Sequence, residues 1–565
     1  MINKKINILR KKFKKFNIDG YLIPKNDEFF SEHAVKDRLK IISNFSGSAG
    51  IAIVLKKKNY LFVDGRYTIQ AKKESGKQFK IIEIHKFLPK KIIKNLNLGF
   101  DPSLFTKQQL KVYFGESLKL IPINRNLIDE IYIKKSLKKN PFFSLSDKIA
   151  GESFKSKINK IARLLKSNKA DYLFISAPEN VAWLLNIRGS DHPNSPIPNC
   201  RLIIKKNKKL ILLADKDKTK KIIKEKKLNK NQITDPEKFH DLIKILKGNK
   251  FIIDPQTCSV LNERILSAKF SILKKNDPCY ELKSIKNFSE INHMITAHIE
   301  DGLALTKFIF WLKKINKKKI TEVAAQNKLE KFRKLSKNYL FPSFNTIAGT
   351  GPNGAIVHYR ASKKSNRVIK KNDIFLCDSG GQYKFGTTDV TRTICFSKQK
   401  RTIKNIFTKV LKGHIAVAQS NLKKFNTGKK IDIRARYFLK KDGLDYAHGT
   451  GHGVGFFSNV HEGPQSISKY NSIKLKEGMI LSNEPGYYKK GYYGIRIENL
   501  VYIKKNKKKL SFENLTLAPI EKDLINYSLL NMAEKNYLFR YHLNVYAKLS
   551  KFLNKKERKW LTSLI

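Results

Sequence analysis

The sequence predicts a mixed α/β (α+β) chain in which two related N-terminal α/β domains precede a larger glycine-rich domain and a helical C-terminal extension. Three observations predict it. At 565 residues the chain is too long for one hydrophobic core, because domains usually hold about 100–200 residues each. Two segments open alike, each an amphipathic helical pattern running into a short apolar strand. From Tyr339 onward the texture changes to Gly-rich turns that join short β-branched strands.

The first helical pattern places Ile6, Leu9, Phe13 and Phe16 on one face with Lys and Arg between them, and leads into Tyr21-Leu22-Ile23. It lacks the continuous apolar core of a secretory signal, and Ser is missing from the first thirty residues, so it reads as an ordinary first helix and not as a transit peptide. The second pattern, around 158–165, leads into Tyr172-Leu173-Phe174-Ile175. Apolar strands separated by Lys-Asn turns follow in each, for example 60–63 and 210–213. The reading is a duplicated unit, 1–135 and 150–282, with Pro141 and the polar stretch 144–153 at the joint. A long helical pattern over 284–316 then opens a third domain, 283–515. In the extension, 516–565, Leu529, Leu530, Met532, Tyr537 and Leu538 form apolar positions under a Lys-rich outer face.

With 41% hydrophobic residues the composition is globular, but 115 Lys+Arg against 47 Asp+Glu gives a net charge of +68. Such a field attracts nucleic acid or anionic lipid. The lysines are spread along the chain, however, and runs such as 504–509 fall in apparent loops without interleaved aromatics, so solvated faces and no specific nucleic-acid partner are expected. Five cysteines, an odd number without C-x-x-C spacing, argue for a reducing, cytoplasmic compartment. No run of eighteen apolar residues predicts a membrane span.

Chemistry concentrates in the third domain. His358, His414, His448, His452 and His461 lie there, all but His414 in Gly-rich stretches. In Ile374-Phe375-Leu376-Cys377-Asp378-Ser379 a carboxylate stands at the end of an apolar strand, where a lone charge is costly. Asp389 opens a second strand after a turn at Gly386; a hairpin would bring the two aspartates together, and close carboxylates repel unless a cation separates them. A capping role explains either aspartate alone and explains the pair poorly. His448-Gly449-Thr450-Gly451-His452-Gly453 is too rich in glycine for a helix, and in an extended segment its two imidazoles share a face. His461-Glu462-Gly463-Pro464 follows. Glu484 precedes a Pro-Gly turn, and Glu498 lies two residues after Arg496, so alternation puts these two on one face; a plain ion pair is the structural alternative. Asp378, Asp389, His452, Glu484 and Glu498 offer four carboxylates and one imidazole, the charge of two divalent cations. Such oxygen-rich ligation suits Mn²⁺, with Zn²⁺ or Co²⁺ as alternatives, and points to hydrolysis.

These strings are similar to those of a known family. Phe341-Pro342-Ser343-Phe344, Ile356-Val357-His358-Tyr359-Arg360, Asp378-Ser379-Gly380-Gly381-Gln382-Tyr383, Gly386-Thr387-Thr388-Asp389-Val390-Thr391-Arg392-Thr393, Val460-His461-Glu462-Gly463-Pro464, Asn483-Glu484-Pro485-Gly486-Tyr487 and Gly494-Ile495-Arg496-Ile497-Glu498-Asn499 resemble the aminopeptidase P branch of the pita-bread metallopeptidases. Phe45-Ser46-Gly47-Ser48-Ala49-Gly50, Val63-Asp64-Gly65-Arg66-Tyr67 and Asn180-Val181-Ala182-Trp183 resemble the two creatinase-like N-terminal domains of its three-domain cytosolic form. The resemblance covers essentially the whole chain and departs from the family in the Lys-rich surface.

It implies a pita-bread catalytic domain and a metal-dependent Xaa-Pro aminopeptidase, in which a hydroxide shared by two divalent ions cleaves the bond before proline. Asp389 and Glu498 are expected to bridge the ions, Asp378 to bind one, and His452 with Glu484 the other. Glu484 is the expected general base. His358 and His461 are expected to orient the substrate carbonyl or pass protons to the leaving nitrogen, and His448 to line the proline-side pocket. Arg496, grouped with the substrate-binding residues, is expected to support Glu498. Peptides with proline at the second position and a homodimeric partner are implied, and no membrane partner. Two other readings compete: a prolidase confined to X-Pro dipeptides, which usually has one N-terminal domain, and a non-enzymatic pita-bread protein binding RNA or protein partners. The high charge favours the last, and the five ligand positions oppose it.

Overall fold

A computed structural model of the chain describes residues 2–32, 34–115, 118–132, 139–314, 320–362, 365–507 and 509–565. The expected domain end at 135, the helix end at Asn316 and Lys508 of the lysine run lie outside these residues. The chain divides into two compact units, 1–280 and 281–565.

The first unit holds two six-stranded sheets of identical topology. Numbered by chain order within each, the strands run 4-3-2-1-5-6 in both. In each sheet the first strand is central, antiparallel to the second and parallel to the fifth. The central strands Gly20–Pro24 and Tyr172–Ile175 are buried throughout, which is why they read as continuous apolar runs and not as alternating ones. The helix Phe154–Ser167 buries Ile158, Ile161, Ala162 and Leu165, the 3.6-residue stripe, and Ser153 caps it by accepting from Ser156 N. Helix Ile2–Lys11 likewise buries Ile6 and Leu9. The expected joint is not a plain linker: Phe143–Ser144 is a strand paired with Ile187–Arg188, so that stretch is part of the second copy's structure.

In the second unit helices Phe288–Lys314, Glu322–Arg333, Arg401–Ala418 and Gly428–Lys440 accompany sheets of short strands. One sheet pairs Ile347–Thr350, Ile374–Ser379 and Val390–Cys395. Another runs Glu462–Ile467, Gly451–Gly453, Ile480–Asn483, Asn499–Asn506 and Lys509–Asn514 in that spatial order. The C-terminal helices are integral and not merely appended. Leu538, Tyr541, Val545 and Leu549 of helix Met532–Leu549 share one buried cluster with Leu411, Ile495 and Ile497, while Met532 is exposed. All five cysteines are buried free thiols. Among the described residues no helix is long and apolar enough to cross a membrane.

Candidate metal centre

The strand pair Ile374–Ser379 and Val390–Cys395 is antiparallel, with Asp378 opposite Thr391 and Ser379 opposite Val390. Asp389 therefore enters the same end of the pair as Asp378, as the hairpin argument expects. His452 comes from the short strand Gly451–Gly453, wedged between two neighbours. A Cβ on Gly451 would stand 1.9 Å from Ser482 O, and one on Gly453 2.1 Å from Glu462 O, so glycine alone permits this spacing on either side of the imidazole. Glu484 follows the strand Ile480–Asn483, and its N–H donates to Thr450 O. Glu498 sits in the break between strands Tyr493–Arg496 and Asn499–Asn506, its N–H donating to Thr391 O.

These segments bring the five side chains together. His452 Nε2 lies 3.3 Å from Asp389 Oδ2 and 3.6 Å from Glu484 Oε1. Ligand atoms of Asp389, His452 and Glu498 all fall within 4.8 Å of one another. Asp378 joins through its electrostatic interaction with Asp389 and Glu484. His448 Nδ1 is 4.0 Å from Glu484 Oε2, and the rings of His452 and His461 are 4.2 Å apart. His358 lies on a separate loop, half-buried in the turn after the 3-10 helix Gly351–Ala355, which packs against strand Tyr493–Arg496. His414 is not at the centre. It is fully buried in helix Arg401–Ala418, bonded to Asn483 O, and burial lowers it to about 3.

Arg496 acts on Glu498 through its field, as expected of a supporting residue, but its hydrogen bonds go elsewhere. Its Nη2 donates to Asp378 Oδ2 at 2.5 Å, Nη1 to Tyr488 Oη at 2.7 Å and Nε to Thr391 Oγ1 at 2.9 Å. It is 2% exposed and meets Glu498 by way of Thr391, whose hydroxyl donates to Glu498 Oε2 at 2.6 Å. The strand ends at Arg496, so the alternation that would put both side chains on one face is broken at Ile497. Three hydroxyls at the site escaped the sequence reading. Thr391 is one. Ser482 donates to Glu484 Oε1 at 3.0 Å and accepts from His452 N, and Tyr488 donates to His448 Nε2 at 2.8 Å. Thr391 and Ser482 each lie two residues from a ligand position, a spacing that could have flagged them.

The electrostatics ask for cations. Burial pushes the Asp378 carboxyl up to about 7 against the pull of Arg496, and Asp389 and Glu484 add to the rise. Burial, then the fields of Asp389, Glu484 and Asp378, hold Glu498 well above the carboxylate range. Burial disfavours charged His452, yet its hydrogen bond to Asp389 and the fields of Glu484 and Asp389 outweigh this and raise it to about 9. Protons thus collect where positive charge is wanted. Burial also works against charge on Glu484, but His452, His448 and Arg496 together keep its carboxyl below the usual range. His448 is lowered to about 4, chiefly by burial; Nδ1–H donates to Gly449 O and Nε2 accepts from Tyr488, so it stays neutral.

The residues fit a metal pair on two observations. Asp378 Oδ1 is buried with no hydrogen-bond partner among the described residues. His452 donates Nδ1–H to Gly453 O, which turns Nε2 onto Asp389 and Glu484, so that the proton held there in the metal-free protein stands where a metal ion would take its place.

Four family models match the chain in succession: the creatinase/prolidase N-terminal domain over 5–131 and again over 134–290, metallopeptidase family M24 over 292–505, and the C-terminal region of peptidase M24 over 508–564. A probable Xaa-Pro aminopeptidase P of Coprinopsis cinerea is 36% identical, covering 99% of this chain and 97% of the relative. Xaa-Pro aminopeptidase 1 of Dictyostelium discoideum is 35% identical over 100% of this chain and 96% of its own. Among solved structures, the X-prolyl aminopeptidase of Caenorhabditis elegans, described as a cytosolic enzyme with a di-nuclear active site, superposes with a TM-score of 0.92 at 29% identity, covering 100% of this chain and 99% of that one. The prolidase of Pyrococcus furiosus covers 63% of this chain at a TM-score of 0.51 and 27% identity. The fold is therefore the expected one, two creatinase-like α/β domains followed by a pita-bread domain. Matched from end to end at this identity, the chain belongs to the Xaa-Pro aminopeptidase P branch of metallopeptidase family M24.

Proposed function

We propose that the protein is a metal-dependent Xaa-Pro aminopeptidase that hydrolyses the bond between an N-terminal residue and a following proline. The observation that carries this is the convergence of Asp389, Glu484 and Glu498 on His452, with Asp378 in the field of Asp389 and Glu484 and its Oδ1 unsatisfied. Asp378, Asp389, His452, Glu484 and Glu498 would hold two divalent ions, and the hard oxygen donors favour Mn²⁺. When bound, such a pair supplies Lewis acidity that polarises the scissile carbonyl and makes water nucleophilic near neutral pH.

The chain's own residues do the rest. Glu484, kept ionised and accepting from Ser482, takes the proton of the attacking water. His358 and His461 hold the scissile carbonyl and return a proton to the leaving nitrogen. An X-Pro amide is tertiary and has no N–H of its own, so that proton must be supplied. Neutral His448, fixed by Tyr488, lines the proline side, and Arg496 holds Asp378 and Tyr488 in place behind it. The substrate's terminal amine, drawn to the carboxylates, limits removal to one residue.

Four further readings belong with this one. Domain limits of 1–135, 150–282, 283–515 and 516–565 describe the chain. Five reduced thiols and the cytosolic neighbour support a cytoplasmic location. Exposed Tyr437, Phe539 and Leu543 support a homodimer through the catalytic and tail region, which light scattering checks. The lysine surface is read as solvated, without a specific nucleic-acid partner. The test of the activity is metal analysis joined to hydrolysis of Arg-Pro-Pro and Ala-Pro, before and after chelation. Two metals per chain and chelator-sensitive release of Arg from Arg-Pro-Pro are expected. Turnover of Ala-Pro alone would make the protein a prolidase, and no turnover with metal bound would sink the reading.

A further inference from the structure

Glu322 opens the helix Glu322–Arg333, just after its capping residue Thr321. A glutamate in a helix's first turn ordinarily faces water, where it complements the dipole modestly. Here it is 0% exposed. Burying a carboxylate is costly unless its lone pairs are filled, and these are filled by one loop. Oε1 accepts from Thr350 N at 2.7 Å and Asn353 Nδ2 at 3.0 Å; Oε2 accepts from Tyr359 Oη at 2.8 Å and Arg367 N at 3.0 Å. The main chain adds Glu322 N to Arg367 O at 3.0 Å and Ile369 N to Ile320 O at 2.9 Å. Thr350, Asn353, Tyr359 and Arg367 thus converge on a single side chain. His358 sits in that loop, beside the bonded Tyr359.

The loop is fixed on its other side as well. Gly354 lies so close to the strand Tyr493–Arg496 that a Cβ on Gly494 would stand 1.8 Å from Gly354 O. Two residues on, Arg496 holds Asp378. Ile356 and Tyr359 flank His358 as buried anchors, joined by Tyr359 N to Ile356 O at 2.9 Å. The turn that carries the imidazole therefore has one firm contact on the metal-centre strand and one on Glu322.

We infer that Glu322 is a positioning residue, whose carboxylate ties Thr350, Asn353 and Tyr359 to Arg367 and thereby sets where the His358 imidazole stands. The inference rests on the aminopeptidase reading and on the role given there to His358. Among the described residues the Glu322 carboxylate bonds Thr350, Asn353, Tyr359 and Arg367 and none of the proposed metal ligands, so it acts through His358. Its neighbours Thr350 N, Asn353 Nδ2 and Arg367 N are all donors, so Glu322→Gln places an amide N–H against donors and opens the loop on one side, while Glu322→Asp keeps the charge and shortens the reach.

A double-mutant cycle tests this in the metal-loaded full chain, with Arg-Pro-Pro cleavage followed in single turnovers so that slow variants are quantified. Glu322→Gln is expected to lower the cleavage rate about 10- to 100-fold, the cost of a displacement on the order of 1 Å, with metal content unchanged and partial rescue in Glu322→Asp. In a His358→Ala background the same change is expected to cost less than about twofold, because its effect passes through the imidazole. In metal-free protein, hydrogen exchange at Thr350 and Tyr359 should quicken in Glu322→Gln. Should Glu322→Gln not fold, Tyr359→Phe, which removes the bond to Glu322 Oε2 together with the hydroxyl's contacts to Asn353 Nδ2 and Ser365 O, is expected to cost about threefold and to show the same non-additivity. Equal factors in both backgrounds, unchanged exchange, or a His358→Ala variant as fast as the parent would each overturn the positioning role. A parent protein that binds metal and leaves Arg-Pro-Pro intact would instead show that the aminopeptidase reading itself has failed.

Discussion

Single residues at the centre are arranged for charge that is not their own. Crowded carboxylates store repulsion and desolvation in the metal-free protein, and Glu498 is held well above its usual range by both. Glu498→Gln keeps the shape and the acceptor for Thr391 while removing the ionisable group that burial and its neighbours penalise. Activity should fall at least about 1,000-fold and one metal should be lost. With chelator present, the same variant should melt a few degrees above the parent, a gain of about 1–2 kcal/mol. Calorimetry with and without chelator reads both arms, and a variant that melts lower in chelator would refute the crowding argument. Tyr488 offers a finer probe. Tyr488→Phe leaves His448 Nε2 and Arg496 Nη1 each short of one partner, so kcat/KM for Arg-Pro-Pro should drop about tenfold with metal content intact. An unchanged rate would mean that another group fixes His448.

Between elements, strand spacing matters more than strand sequence. Gly451→Ala puts a methyl group where Ser482 O already stands, so the strand bearing His452 must part from the one leading to Glu484. The cost should be about 3 kcal/mol or more in urea unfolding, and the variant should bind metal more weakly than the parent. If it folds and binds as the parent does, the two strands have more room than the distance implies. Elements of this kind were partly legible before any coordinates. The duplicated α/β units showed in helix-then-strand texture, and the proposed ligand positions in the coincidence of acids with apolar, Gly-rich strands. Arg496 to Asp378, 118 residues apart, was not legible, because alternation predicts a face only while the strand continues, and it stops at Arg496. Thr391, Ser482 and Tyr488 were passed over since hydroxyls are common in strands and their partners lie across the sheet. The helix Met532–Leu549 read as an outer tail because periodicity reveals an apolar stripe without naming what it packs against.

Over the whole chain the net charge of +68 opposes compaction, and added salt should relieve it. The docking of the C-terminal helices supplies a second, opposite-facing control that acts through pH. His542 is 1% exposed, and its Nε2 accepts from Ile520 N at 3.1 Å, tying helix Met532–Leu549 to the segment after the last strand. Burial, with Arg392 and Lys522 nearby, lowers its pKa to about 4, the bond from Ile520 being formed only by the neutral ring. In the unfolded chain an ordinary histidine takes its proton near pH 6.5. Below that pH the unfolded state binds the proton more readily than the folded one, so the stability due to His542 is complete above about pH 6.5 and drains as pH falls to about 4. The drop amounts to about 3 kcal/mol across that window, on the order of 1.4 kcal/mol for each unit between the two values. His542→Gln keeps an acceptor and cannot titrate. Unfolding by urea at pH 7.5 and pH 5 should therefore show the parent losing more than the variant, by about 2 kcal/mol. Equal losses in the two proteins would mean that His542 charges freely in the folded chain, and that the helix is not held to Ile520 by a neutral imidazole.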